Sequence, residues 1–156
     1  MNLELQAQVS AFVLRTAVLV DGDELETWLD CFHENSSYMV VPRENLEAGY
    51  GIGLMRCDSK AQLQDRVAVL RHASKFNPHW DRHILSGTAI TSAPQDGVVS
   101  TSTAFMVVQT QLNGTSSLFC SGSYEDEIEV GAEPRLRKRL VVLDTFTVSN
   151  CLATPL

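Results

Sequence analysis

Three side chains in the stretch NPHWDRHIL, residues 77–85, could do chemistry together. Read as an extended strand, the stretch puts His79, Asp81 and His83 on one face, because side chains alternate along a strand. Two imidazoles and one carboxylate form a ligand set that suits non-haem iron. The spacing works against it. Residues i and i+4 of a strand lie roughly 13 Å apart at their Cα atoms, whereas the ligating atoms around one ion must all approach to about 2 Å. A shared ion would need a bulge or a tight bend. A helix would bring His79 and His83 together, but Pro78 and the β-branched run beyond oppose a helix there. The simpler expectation is that Asp81 and His83 pair with neighbours, while Arg82 faces the other side and makes its own ion pair.

A second candidate is acid–base chemistry by Asp65 and His83, set in the hollow of a curved sheet packed on helices. The competing reading makes Asp65 and Arg66 one helix face engaged in surface or interface ion pairs. His33 and His72 are expected on helices, each without a histidine four residues away. Cys31, Cys57, Cys120 and Cys151 are scattered, with no CxxC or CxH spacing. They are expected to be reduced and mostly buried, since zinc and iron–sulfur sites need close-set pairs. There is no G-x-S-x-G elbow and no phosphate loop. GYGIGLM is not followed by the helix that a dinucleotide fingerprint requires.

Two charge rows complete the inventory. Glu125, Glu127 and Glu129 alternate along SYEDEIEV, and Arg135, Arg137 and Arg139 alternate along RLRKRLVVLD. Each row is expected on one strand face, with cross-strand pairing between them. Such a face could also meet a partner subunit.

The elements that must position these residues follow from periodicity. Val9, Phe12, Val13, Thr16, Ala17 and Val20 share a helical stripe over about residues 2–20, punctuated by Gly22. DELETWLDCFHE predicts a second helix with Leu25, Trp28, Leu29 and Phe32 on one face, Asp23 as N-cap and Glu26 completing a capping box. SSYMVVP is a strand stopped by Pro42. Residues 43–53 read as a glycine-rich loop, and YGIGLMR as a short strand. Ser59 caps a third helix, SKAQLQDRVAVLRHA, with Leu63, Val67 and Leu70 in register.

Beyond Pro78 the pattern turns to β. WDRHILSGTAITSA is one strand, Gln95-Asp96-Gly97 a turn, and VVSTSTAFMVVQTQL a long strand. Asn113-Gly114 is a hairpin signal, answered by SLFCSGSYEDEIEV. A turn at Gly131–Pro134 leads into RLRKRLVVLDTFTV. Segregated helices and strands predict an α+β class. The expected architecture is a strongly curved antiparallel sheet wrapped around three helices in a single domain, 1–156.

Length and composition agree. With 156 residues, 44% hydrophobic and 20% charged, the chain can bury roughly two thirds of its unfolded surface. A formal net charge of −7 argues against nucleic acid, which demands a basic footprint, and against an anionic membrane. The N-terminal stretch is interrupted by Glu4, Gln6, Gln8 and Arg15, unlike a signal peptide, and no apolar run reads as a membrane span. A cytoplasmic protein is expected.

The residues also carry a family resemblance along nearly the whole chain. WLDCFHENSSY (28–38), DRV at Asp65–Val67 with Leu70, RHILSG (82–87) and the closing RLVVLD with its terminal TPL occur in that order. The chain thereby resembles the small (beta) subunit of Rieske-type aromatic ring-hydroxylating dioxygenases. It is most similar to those of enzymes acting on one-ring aromatic acids, such as terephthalate dioxygenase and salicylate 5-hydroxylase.

The resemblance implies a cone-shaped fold like that of nuclear transport factor 2, and a hexamer of three large and three small subunits. It places the Rieske [2Fe-2S] cluster and the mononuclear iron on the large subunit, supplied with electrons from NADH through a reductase. The small subunit then carries no metal and no catalytic residue. Asp65, Arg66, Arg82, His83, Arg135, Arg137 and Arg139 become scaffold or interface positions. The substrate, a one-ring aromatic carboxylate by resemblance, is set mainly by the large subunit. Two other readings stay open: a free-standing cone-fold dehydratase or isomerase using Asp65 and His83, and a non-catalytic binding module.

Overall fold

The computed structural model describes residues 2–73, 76–149 and 151–156. The chain opens with α1 (Leu3–Asp21), whose first turn is capped by the Asn2 side chain accepting from the Glu4 and Leu5 amides. The predicted stripe is realised: Val9, Phe12, Val13, Thr16, Ala17 and Val20 are buried. By length and composition α1 could cross a membrane, contrary to the expectation that no apolar run would reach that length. In this fold the stripe is instead the sheet-facing side of a core helix.

The second helix is much shorter than its pattern predicts. α2 spans only Leu25–Leu29, and β1 (Phe32–Pro42) begins at once. Phe32 and His33 are therefore strand residues. The capping box fails too, because Asp23 lies in the left-handed region at φ 56° and α2 starts from Glu24 without a side-chain cap. What holds the segment is aromatic packing: Trp28 meets Phe32 at 4.6 Å and Tyr38 at 5.7 Å, edge to face. Three large rings in the core outweigh a short run of helical propensity.

The one-turn helix α3 (Arg43–Glu47) and the short strand β2 (Met55–Cys57) flank the glycine-rich loop. Gly53 is required there, since a Cβ would lie 2.5 Å from the Val40 carbonyl oxygen. α4 (Lys60–His72) follows with the predicted cap, Ser59 Oγ accepting from the Gln62 amide. Leu63 and Val67 are buried, while Leu70 is partly so.

The strands form one sheet in the order β2-β1-β7-β6-β5-β3, with β3 at His79–Leu85, β5 at Val98–Gln111, β6 at Ser116–Glu129 and β7 at Arg135–Leu143. β4 (Ala89–Ile90) also pairs with β5, so the predicted strand 80–93 is two strands on different parts of one neighbour. Asp96 and Gly97, both at positive φ, make the two-residue turn between Gln95 and Val98. The sheet is not wholly antiparallel: β1 runs parallel to β7, with Tyr38 opposite Arg139 and Pro42 opposite Leu143.

The α+β class and the open curved sheet over helices are as expected. Helices α2 and α4 pack on one another and α4 on β1, while α1 covers β3. One glycine fixes how closely β7 can approach. At Gly122 a Cβ would lie 2.0 Å from the Val142 carbonyl oxygen.

Candidate functional site

β3 delivers the predicted face. His79, Asp81 and His83 point inward while Trp80, Arg82 and Ile84 point out. The three inward residues do not converge. His83 turns to the end of α1, where its Nδ1 lies 2.6 Å from Asp21 Oδ1 and its backbone N–H donates to both Asp21 oxygens at 3.1 and 3.0 Å. Arg82 Nη1 stands 3.7 Å from the same carboxylate, although its side chain is mostly exposed. One carboxylate therefore ties the last turn of α1 to the middle of β3.

His79 and Asp81 form a second cluster. His79 Nε2 is 3.4 Å from Asp81 Oδ2. The other oxygen, Asp81 Oδ1, accepts from Gln109 of β5, and Oδ2 also accepts from Thr154 of the C-terminal segment. Both residues line a cleft of about 470 Å³ together with Asp21, Arg71, Trp80 and Thr154. Among the described residues no three His, Cys, Asp or Glu side chains gather as a metal site would require. Cys31, Cys57 and Cys120 are buried and Cys151 is exposed, all free; burial pushes the Cys120 thiol up to about 12. Among the described residues, neither the donors nor their spacing match the ligand set of a cluster or an iron ion.

The proposed Asp65–His83 pair is not formed. Asp65 sits on the exposed side of α4, and the imidazole is already bonded to Asp21. Sequence reasoning found the right histidine and the wrong carboxylate. The only hint toward Asp21 was its place just before Gly22, at the end of a helix. His83 Nε2 is buried with no hydrogen-bond partner, and the side chain is 1% exposed. An acid–base catalyst must reach its substrate's proton, and this nitrogen is closed off from solvent.

The charge rows are also resolved differently. Arg137 pairs with Glu129 at 2.8 Å and Lys138 with Glu127 at 3.4 Å on the outer face. Glu125 accepts from Ser102 instead. The three arginines do not share a face: the register slips between Glu127 and Ile128 of β6, and Arg137 has no opposite number. This bulge inverts the alternation beyond it, so Arg135 and Arg137 stay exposed while Arg139 turns inward.

Arg139 meets Asp126 through two bonds, Nε to Oδ1 at 2.9 Å and Nη2 to Oδ2 at 2.7 Å. Its Nη1 donates to Thr16 of α1 at 3.0 Å, and its guanidinium lies 4.3 Å from the centre of the Tyr124 ring. Burial pushes the Asp126 carboxyl up, against the pull of the guanidinium. Of the seven expected interface positions, Asp65, Arg66, Arg82, Arg135 and Arg137 are exposed, whereas His83 and Arg139 are internal ties.

A helix–sheet cone whose Asp21, Asp81, His83 and Asp126 side chains are committed to its own frame matches what comparison finds. The ring hydroxylating beta subunit family matches residues 15–150. The chain belongs to that family. It is 38% identical over 138 residues to the anthranilate 1,2-dioxygenase small subunit of Burkholderia cepacia, covering 88% of this chain and 85% of the relative. It is 32% identical over 152 residues to the terephthalate 1,2-dioxygenase terminal oxygenase component subunit beta 2 of a Comamonas species, covering 97% and 98%.

Among solved structures, it is similar to the beta subunit of a protein assigned as an aromatic-ring-hydroxylating dioxygenase from Novosphingobium aromaticivorans. That match has a TM-score of 0.88 and 33% identity over 97% of each chain. Naphthalene 1,2-dioxygenase shares the fold, with a TM-score of 0.79 at 16% identity, covering 100% of this chain and 88% of that one. The resemblance to terephthalate dioxygenase small subunits is thus borne out, as is the cone fold. Beta subunits of this family partner with large alpha subunits, and the family's cofactors sit on the large subunit.

Proposed function

We propose that this chain is the non-catalytic small subunit of a Rieske non-haem iron oxygenase that hydroxylates a one-ring aromatic carboxylate. In this reading it works as one domain in the cytoplasm and holds three large subunits in register within a hexamer of three large and three small subunits. The large subunit supplies the Rieske cluster, the mononuclear iron and the chemistry, with electrons from NADH through a reductase. The observation that carries the reading is the chain-long similarity to small subunits named for anthranilate and terephthalate dioxygenases. Both of those substrates are one-ring aromatic acids. The site geometry supports the non-catalytic part, because the Asp21–His83 pair binds helix to strand and its free nitrogen is sealed in the core.

On this chain, Asp65, Arg66, Arg82, Arg135 and Arg137 present exposed charge to partners. His83 and Arg139 act behind them by fixing β3 and β7. The dehydratase reading loses its pair, since Asp65 does not meet His83. The test is native mass and metal content of this chain alone and of this chain co-expressed with its large subunit. A metal-free small subunit that enters an iron-bearing hexamer is expected. Stoichiometric iron on this chain alone would overturn the proposal.

A further inference from the structure

The cleft of about 470 Å³ beside β3 has the size of a small-molecule site, which runs roughly 300–1,000 Å³. Its wall has an apolar side formed by Leu70, Phe76, Pro78 and Trp80. Phe76 and Trp80 are 38% and 61% exposed, so both rings have surface to give to a ligand. The polar corner opposite is made by His79, Asp81 and Thr154.

Asp81 is held loosely. Its side chain is only 10% exposed, yet its contacts are long: 3.1 Å to the Gln109 amide, 3.3 Å to the Thr154 hydroxyl and 3.4 Å to His79 Nε2. Charge-assisted bonds close to about 2.7–2.9 Å, as those between Arg139 and Asp126 do in this molecule. A carboxylate offers about four lone-pair directions, and two hydrogen bonds leave about half of them open. His79 faces the same gap. Its Nδ1 lies 2.7 Å from the Asn77 carbonyl oxygen. A carbonyl only accepts, so Nδ1 donates and Nε2 of the neutral ring is an acceptor turned toward Asp81 Oδ2. Thr154 gives its one hydroxyl hydrogen to that oxygen, which leaves its own lone pairs free. Three acceptors of three kinds thus surround one point. They are also fixed there, because Gln111 donates to Gln109 at 3.1 Å and the Leu156 amide ties the Thr154 segment to the Tyr38 hydroxyl at 2.9 Å.

The complement of this corner is a group with several donors, no acceptor and positive charge. An ammonium has three donors and no acceptor. The field of the cleft agrees. Asp21, Asp23 and Asp81 line it against Arg71, and Arg71 is already bonded to Glu26 and Asp23. Among the described lining residues an anion would find no open guanidinium. We propose that this corner binds the ammonium group of a primary organic amine, whose apolar body lies along Phe76 and Trp80. Binding is reversible and needs this chain alone.

The test titrates benzylamine into the full small subunit, followed by calorimetry and by Trp80 emission; the other tryptophan, Trp28, is 0% exposed. Benzylamine should saturate and shift that emission. Benzyltrimethylammonium keeps the charge without donors, benzyl alcohol keeps one donor without charge, and benzoate reverses the charge. Each should bind roughly tenfold more weakly or worse. Asp81→Asn should weaken benzylamine by a similar factor and Thr154→Val by about threefold. Asp58→Asn, exposed and outside the cleft, should leave it unchanged. Circular dichroism checks that each variant melts as wild type does; if Asp81→Asn fails to fold, Thr154→Val decides. Equal binding of benzyl alcohol or of benzyltrimethylammonium would overturn the proposal in favour of apolar walls or a diffuse field. An unchanged affinity in the variants, or no saturation by benzylamine, would overturn it outright. None of these results bears on assembly with a large subunit, so the small-subunit reading stands or falls separately.

Discussion

Asp126→Asn is the substitution with the largest expected effect on the frame. It keeps the size of the side chain but leaves the Arg139 guanidinium, 1% exposed, without its counter-charge. Two of the three hydrogen bonds made by that guanidinium go to Asp126, at 2.9 and 2.7 Å; the third goes to Thr16. Asparagine keeps one acceptor oxygen, so one guanidinium donor loses its partner at about 1–3 kcal/mol, and with the counter-charge gone as well the total approaches the roughly 3–5 kcal/mol typical of breaking a buried ion pair. For a chain of this size that is a fall in Tm of roughly 6–20 °C. Urea and thermal unfolding of the small subunit, followed by circular dichroism, would measure it. The double replacement Asp126→Leu/Arg139→Met removes both charges and should recover most of the loss, because burying a pair has its own desolvation cost. A loss under about 1 kcal/mol for the single variant, or a double variant no better than the single, would refute the reasoning.

Other expectations follow from the same contacts. Asp21→Ala removes the acceptor for the His83 ring and amide and should cost about 2–3 kcal/mol in denaturant unfolding, since the lost bonds are charge-assisted; an unchanged midpoint would mean that β3 holds α1 by packing alone. Gly122→Ala should lose about 1–3 kcal/mol or more through overpacking against Val142, read as a lower Tm. Glu26 carries a pH signature, because the hydrogen bond from Arg71 lowers its carboxyl from 4.5 to about 2. A depressed folded-state value gives stability that is complete above about pH 4.5 and is lost as pH falls toward 2. Glu26→Gln should therefore be less stable than wild type at pH 6, with the gap in Tm narrowing below pH 4.5 and closing as the pH approaches 2.

Much of this frame was legible because strand and helix periods are local. The stripe of α1, the Ser59 cap and the alternation along β3 and β5 need only nearby residues, and they are found where the sequence puts them. The failures are non-local. Phe32 reads as the end of a helical stripe, yet its place beside Trp28 and Tyr38 makes it a strand residue. Arg139 reads as the third of three outward arginines until a one-residue bulge reverses its direction. That bulge can be read only from the partner strand, where Asp126, alone among Glu125, Glu127 and Glu129, faces inward. The Asp21–His83 tie joins residues 62 positions apart, and nothing in either neighbourhood names the other. The family resemblance rested on motif order, which survives such local misreadings.

The parallel pairing of β1 with β7 has a consequence for how the chain comes to exist. Residues 98–143 can build a three-stranded meander from neighbouring hairpins as soon as they are made. β1 has no such neighbour: apart from the three residues of β2, its partner starts about a hundred residues downstream, at the Phe32–Leu136 pair. During synthesis its unpaired edge waits for β7 to emerge, and the closure entropy of that long loop must be met before the seam forms. Joining β1 to the meander should therefore be the late step of folding. Until it happens, an exposed strand edge and the Trp28–Phe32–Tyr38 cluster would be open to aggregation, which makes this seam the place where assembly of the subunit depends most on time.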